Sequence, residues 1–194
     1  MADSKQASVT TDVVDILTAD HNEMIELLTE VESTADPDAQ RDIADTVTAE
    51  VMRHAVAEEM FVYPVMEDKL PGGSDDVKHD KEEHDEIVKV MKKLEDVAAS
   101  DPEFLGLTRE LKSLLRHHAH DEESEQFPKL REHLSARELV EMGEKVQNAK
   151  KLAPTRPHPQ APHSELFHKT LGAGVGMVDR IRDKLTGRQT GSSS

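Results

Sequence analysis

The chain has 194 residues and a mass of 21.6 kDa, with 24 Lys+Arg against 40 Asp+Glu and a formal charge of −16. Such an acid excess repels phosphate backbones, so nucleic-acid binding is not expected. Cysteine is absent, which excludes disulfides, thiolate metal sites and a Cys nucleophile. No apolar run approaches the ~18 residues of a membrane span, and residues 1–12 lack the apolar core of a signal peptide. A cytoplasmic protein that is not transmembrane is therefore expected. Leu, Val, Ile and Phe make up just over a fifth of the chain, close to the level at which a highly charged sequence stays disordered. Periodicity has to decide whether it folds.

Taken in chain order, the apolar residues repeat at helical spacing. The first stripe is Val14, Leu17, His21, Met24, Leu28 and Val31. Asp36-Pro37 then reads as an N-cap with proline in the first helical position, and it opens a second stripe: Ile43, Val47, Val51, His54, Glu58, Phe61 and Val65. Leu70-Pro71-Gly72-Gly73-Ser74 is a turn, with Ser74 placed to cap a third helix carrying Val77, Asp80, His84, Ile87, Met91, Leu94 and Ala98. Asp101-Pro102 opens a fourth, with Leu107, Leu111, Leu114, His118 and Glu122. Ser135 and Glu138 have capping-box spacing and start a short fifth helix that runs to about Lys151. Pro64 and Pro128 each remove a helical hydrogen bond and should kink their helices.

No segment alternates with period two. Long helices joined by short loops predict an all-α, up-down-up-down four-helix bundle with a short fifth helix over residues 1–151. Residues 152–194 read as a second region. LAPTRPHPQAP at 152–162 is an extended, proline-rich linker. Phe167, Leu171, Val175, Val178, Ile181 and Leu185 form a tail helix weakened by Gly172, Gly174 and Gly176, and a disordered end follows.

Every main stripe contains a His, and two contain a Glu one turn later. The chain also repeats itself. His54-Ala-Val-Ala-Glu58-Glu59 followed by Tyr63-Pro64 matches His118-Ala-His-Asp-Glu122-Glu123 followed by Phe127-Pro128, and Asp20-His21 matches Glu83-His84. The bundle thus reads as two similar hairpins that place four imidazoles and two carboxylates on inward faces. Such groups are costly to bury unless paired or metal-bound. Imidazole and carboxylate without thiolate suit Fe, Mn or Zn.

With these residues in hand, the chain resembles the hemerythrin-like proteins of the HHE cation-binding family over roughly residues 10–134. The resemblance rests on Asp20-His21, the HxxxEE segments at 54–59 and 118–123, and Glu82-Glu83-His84. It implies a non-haem centre of two Fe ions with oxo or hydroxo bridging. His21 and His54 would bind one iron, His84 and His118 the other, and Glu58 and Glu122 would bridge them. Oxygen-carrying members have a further His one turn before the position of His84, where this chain has Asp80. Asp80 can be a ligand, an acceptor for His84, or solvated. His79 is about 140° round the helix from His84 and cannot replace the missing ligand.

The ligand count suggests a symmetric, open site that handles O₂, peroxide, NO or ferrous iron. Peroxide or redox chemistry, or iron binding, fits it better than oxygen transport, and catalase-like or ferroxidase-like activity is an open question. The alternative is a metal- or gas-sensing or storage module without turnover, acting through a protein partner or self-association at the tail. Tyr63 reads as a core aromatic matched by Phe127, with metal ligation as the other possibility. Glu59 and Glu123 point about 100° from the ligand glutamates and read as solvated or supporting carboxylates. His117 and His120 flank His118 off the stripe and read as surface residues.

Overall fold

The computed structural model describes residues 11–156. The tail helix and most of the linker lie outside the described residues. The helices are α1 (Val13–Ser33), α2 (Pro37–Phe61), α3 (Tyr63–Lys69), α4 (Gly73–Asp96), α5 (Pro102–Asp121), α6 (Phe127–His133) and α7 (Ala136–Lys150), with a π-helical turn, Glu122–Gln126, between α5 and α6. No strand occurs among the described residues, and no helix there is long and apolar enough to cross a membrane.

Side-chain caps set most helix starts. Asp12, Asp36 and Asp101 accept from Asp15, Asp38 and Glu103 backbone N–H groups at 3.0, 3.2 and 2.9 Å. Ser135 and Glu138 form a reciprocal capping box. The start of α4 differs from the sequence expectation. Its N-cap is Gly72, at φ +78°, and Ser74 lies inside the first turn. The reason is a close approach: a Cβ on Gly73 would sit 2.0 Å from the Met66 carbonyl oxygen. Two successive glycines let the chain reverse there.

The expected kinks take two forms. In the first hairpin the helix stops at Phe61 and restarts at Tyr63, because Pro64 has no N–H for the carbonyl of Met60. In the second, Phe127 N–H reaches the Glu122 carbonyl across a wider π turn just before Pro128.

Helix α1 packs on α2 and α5, α4 packs on α5 and α3, and α7 lies across α1 and α2. This is the bundle with its additional helix. Two apolar clusters fill it. One contains Met24, Leu28, Val51, Ile87, Met91, Leu111 and Leu115. The other contains Leu17, Ala57, Tyr63, Met66, Val77, Phe127 and Leu130. Along α1, α2 and α4 the inward His falls between residues of the first cluster and residues of the second, and His118 falls between the first-cluster residues of α5 and Phe127 of α6. A polar layer therefore crosses the bundle between two dry blocks.

The chain does not extend away at Lys151. Ala153 joins the first cluster, Thr155 is buried, and Arg156 pairs with Glu95 of α4.

Two alanine substitutions should separate the roles of the glycines. Gly73→Ala forces backbone against backbone and should lower the melting temperature. Gly106 is exposed inside α5, and a Cβ added there would meet nothing within 4 Å. Gly106→Ala should therefore gain about 0.5–1 kcal/mol. Urea titration of both variants checks the two signs.

Candidate metal centre

Helices α1, α2, α4 and α5 contribute His21, His54, His84 and His118 to the polar layer, and all four are buried. Glu58 lies one turn beyond His54, and Glu122 one turn beyond His118, where the π turn begins. They are 0 % and 1 % exposed. The Nε2 edges of the rings face inward. His21 Nε2 is 3.1 Å from His54 Nε2, and His84 Nε2 is 3.2 Å from His118 Nε2. Glu58 spans the two pairs, with Oε1 3.2 Å from His54 Nε2 and Oε2 3.5 Å from His84 Nε2. Glu122 spans them from the other side, with Oε2 3.3 Å from His21 Nε2 and Oε1 3.7 Å from His118 Nε2. The six residues singled out in the sequence thus meet as two imidazole pairs joined by two carboxylates.

The outer edges of the rings are equally ordered. Each Nδ1 meets a carboxylate: His21 with Glu123 at 2.8 Å, His54 with Asp20 at 3.2 Å, His84 with Glu59 at 3.1 Å and His118 with Glu83 at 2.9 Å. An ionised carboxylate can only accept, so Nδ1 donates, and a ring in its neutral form is left with the Nε2 lone pair turned to the interior. Glu59 and Glu123 are thus supports for rings on the opposite hairpin. The sequence reading gave no role to Asp20 and Glu83. The signal was present in both copies of the repeat, as an acid immediately before His21 and before His84.

The electrostatics of the layer call for positive charge. Among the described residues, no donor hydrogen-bonds Glu58 Oε1, Glu58 Oε2 or Glu122 Oε2. Orphaned buried carboxylate oxygens are expensive without a cation. Burial alone would raise the Glu58 pKa, yet the His54 and His84 rings beside it hold it well below the usual carboxylate range. Burial works against charge on His54, but Glu58 and Asp20 outweigh it and bring its pKa to about 10. Burial likewise opposes charge on His84, and Glu58 with Glu59 brings it to about 10.

The surroundings of the two imidazole pairs differ, contrary to the symmetric site expected from ligand count. Tyr63 is buried, stacks on His84 with ring centroids 5.7 Å apart, and places its hydroxyl 3.2 Å from His84 Nε2. Its repeat mate Phe127 stacks on His21 at 5.9 Å and has no hydroxyl. Burial, and then the charges of Glu58 and Glu122, push the Tyr63 phenol well above its usual range. Asp80 is fully buried, which rules out the solvated reading. It accepts a hydrogen bond from Gln126 Nε2 at 2.8 Å, and its Oδ2 has no donor among the described residues. His84 Nδ1 is engaged by Glu59, so Asp80 is not its acceptor. Burial and the Glu122 charge raise the Asp80 pKa to about 7. By the repeat, Asp80 and Gln126 correspond to Leu17 and Val62. One imidazole pair therefore has a hydroxyl, a carboxyl and an amide close by, and the other has only apolar neighbours at the matching positions.

Comparisons with known proteins bear on the family and the fold. An uncharacterized hemerythrin-like protein of Schizosaccharomyces pombe is 29 % identical over 176 residues, covering 90 % of this chain and 87 % of that protein. A DNA nickase of Nostoc is 26 % identical over 138 residues, which span 71 % of this chain but only 39 % of the nickase. The crystal structure of a hemerythrin HHE cation-binding domain-containing protein from Mycobacterium kansasii superposes with a TM-score of 0.64 at 19 % identity, over 87 % of this chain and 98 % of the other, and it supports the fold. The model of the hemerythrin HHE cation-binding domain matches residues 12–130, the span that contains all six converging residues. The chain belongs to the hemerythrin HHE cation-binding domain family.

Proposed function

We propose that the polar layer is a non-haem di-iron centre that performs redox chemistry on peroxide or a related small oxidant. His21 and His54 would hold one iron, His84 and His118 the other, with Glu58 and Glu122 shared between them. The observation that carries this reading is the pairing of the edges. Four Nε2 atoms and the carboxylates of Glu58 and Glu122 face the interior, three of the four carboxylate oxygens having no hydrogen-bond donor among the described residues, while every outer Nδ1 is held by an acid. An N/O donor set of this kind suits iron, and bound iron would supply one-electron redox capacity and Lewis acidity.

The chain's own residues favour turnover over reversible carriage of a gas. Reducing one peroxide to two waters takes up two electrons and two protons, which a second peroxide supplies as it leaves as O₂, so turnover needs a group that carries protons between the two, whereas binding a gas reversibly does not require one. Asp80, with its pKa near 7 and a free Oδ2, can hold and release a proton at neutral pH beside His118. The Tyr63 hydroxyl stays protonated at His84 Nε2 and can donate to a ligand there. Two hydrophobic clusters exclude water above and below the layer. No nucleic-acid reading follows from the Nostoc nickase, because the matched part is 39 % of that protein and a charge of −16 disfavours phosphate contacts.

Metal analysis of the purified protein should find about two Fe per chain together with a near-ultraviolet diferric absorption. The His54→Ala, His118→Ala double variant should lose both. A colourless wild-type protein, or a double variant with unchanged metal content, would overturn the di-iron reading.

Peroxide separates turnover from storage. Wild-type protein should release O₂ over many cycles. Asp80→Asn should slow that release on the order of 100-fold, the usual scale for a lost proton-transfer group, with iron content retained. A single stoichiometric bleaching would support sensing or storage instead.

Loading should also release protons. Below pH 10 the metal-free protein carries charge on His54 and His84, and an ion taken up at Nε2 displaces it. Apparent metal affinity should therefore rise with pH towards about 10. The sign for metal-free stability is the reverse. Both pKa values lie above the unfolded value near 6.5, so this stabilisation is full below pH 6.5 and is lost as pH rises through about 10. Melting of metal-free and loaded protein at pH 7 and 9.5 checks it: only the metal-free form should lose stability.

A further inference from the structure

We propose that His79, Glu83, His117 and Asp121 form a second, surface site for one divalent transition ion of the zinc type. The spacing is that of two i, i+4 pairs, one on α4 and one on the adjacent α5, so both imidazoles and both carboxylates face the same seam. His79 Nε2 is 3.5 Å from Glu83 Oε1 and 3.8 Å from Asp121 Oδ2. His117 Nε2 is 3.6 Å from the same Glu83 oxygen and 3.8 Å from the same Asp121 oxygen. All four atoms lie within 4.8 Å of one another. A tetrahedral zinc with ligand bonds of about 2.0–2.1 Å needs donor atoms about 3.3 Å apart. The four imidazole–carboxylate separations are a few tenths of an ångström wider, and no pair in the quartet exceeds 4.8 Å. Its two imidazole side chains are 54 % and 63 % exposed, so they are free to close on an ion.

The internal repeat supplies an independent argument. Glu83 corresponds to Asp20, and both use one oxygen to hold the Nδ1 of a core histidine. The other oxygen of Asp20 receives the Lys150 ammonium of α7 at 2.6 Å. A cation therefore already sits on the outer oxygen of one supporting carboxylate. No counterpart of α7 packs on the second hairpin among the described residues, and there the outer oxygen of Glu83 faces two imidazoles and Asp121. The quartet is not a by-product of the duplication either. The positions matching His79, His117 and Asp121 in the first hairpin are Ile16, Arg53 and Ala57. In the place where one hairpin has a covalently attached ammonium, the other has a ligand set for an exchangeable cation.

The site is coupled to the layer by geometry. Glu83 Oε1 would be a ligand of the surface ion while Oε2 accepts from His118 Nδ1 at 2.9 Å. An ion on one oxygen withdraws negative charge from the other, so occupancy changes how strongly the His118 ring is polarised. The coupling alone rests on the di-iron reading; the surface site itself does not.

The test is Zn²⁺ binding to the full chain by equilibrium dialysis, with wild type compared to the His79→Gln, His117→Gln double variant. Both substituted side chains are exposed, and unchanged melting of the Zn²⁺-free protein confirms an intact fold. The variant should bind one Zn²⁺ fewer per chain. In wild type, the imidazole NMR signals of His79 and His117 should shift on Zn²⁺ addition. Asp121→Ala, which leaves every residue of the core layer in place, should lose the same equivalent. Equal stoichiometry and affinity in all three proteins would overturn the proposal, as would unshifted His79 and His117 signals. Absence of an iron absorption band would instead count against the di-iron reading and leave the Zn²⁺ difference intact.

Discussion

Everything in this bundle is arranged around the cost of keeping six polar groups dry. Four imidazoles and two carboxylates occupy a layer that water does not reach, and two apolar clusters close it on either side. In isolation each group would be a liability of several kcal/mol. Together they make a charge pattern with negative carboxylates on the outside of each ring, Nε2 atoms and carboxylate oxygens on the inside, and a requirement for positive charge in the middle. The requirement explains why the rings are so tightly held, why His54 and His84 bind protons so firmly, and why a chain poor in apolar residues can still depend on its interior for folding.

The supports are divided between the hairpins in a way that ties them together. Asp20 and Glu83 each serve a ring within their own hairpin, whereas Glu59 and Glu123 each serve a ring of the other. Neither hairpin can orient both of its imidazoles alone. Geometry in the layer and docking of the two halves are one event, which favours all-or-none assembly over stepwise filling. The duplication is kept where the layer needs it and broken where the chemistry differs. The Tyr63–Phe127 and Asp80–Leu17 pairs leave the two imidazole pairs in unlike surroundings.

Much of this was legible before any coordinates. The stripes identified the helices, Asp36-Pro37 and Asp101-Pro102 identified two starts, and the repeat identified the six residues that meet in the layer. What escaped depends on contacts between elements distant in sequence. Ser74 looked like a cap because its chemistry is right, but the Met66 carbonyl lies so close that only glycine fits at position 73. Glu59 read as solvated or supporting from its angle on the helix wheel, and the wheel could not show that the ring it supports is His84, which arrives from another helix. Asp80 gave three readings because a helix wheel shows direction, not partners, and its partner Gln126 belongs to a π turn that no local pattern announces. The packing of Ala153 and Arg156 was hidden for the same reason. Prolines signalled an extended segment, while the apolar cluster and Glu95 that hold its first residues come from elsewhere in the chain.

That last contact ties the two hairpins together a second time. Arg156 is fastened to Glu95, eleven residues along α4 from His84, which at 1.5 Å per residue is about 16 Å. Residue 156 is therefore a fixed point on the bundle. Helix α7 packs on α1 and α2 of the first hairpin, and the residues after it cross to α4 of the second. The arginine acts as a mooring line between the two hairpins, made fast on the same helix that carries His84.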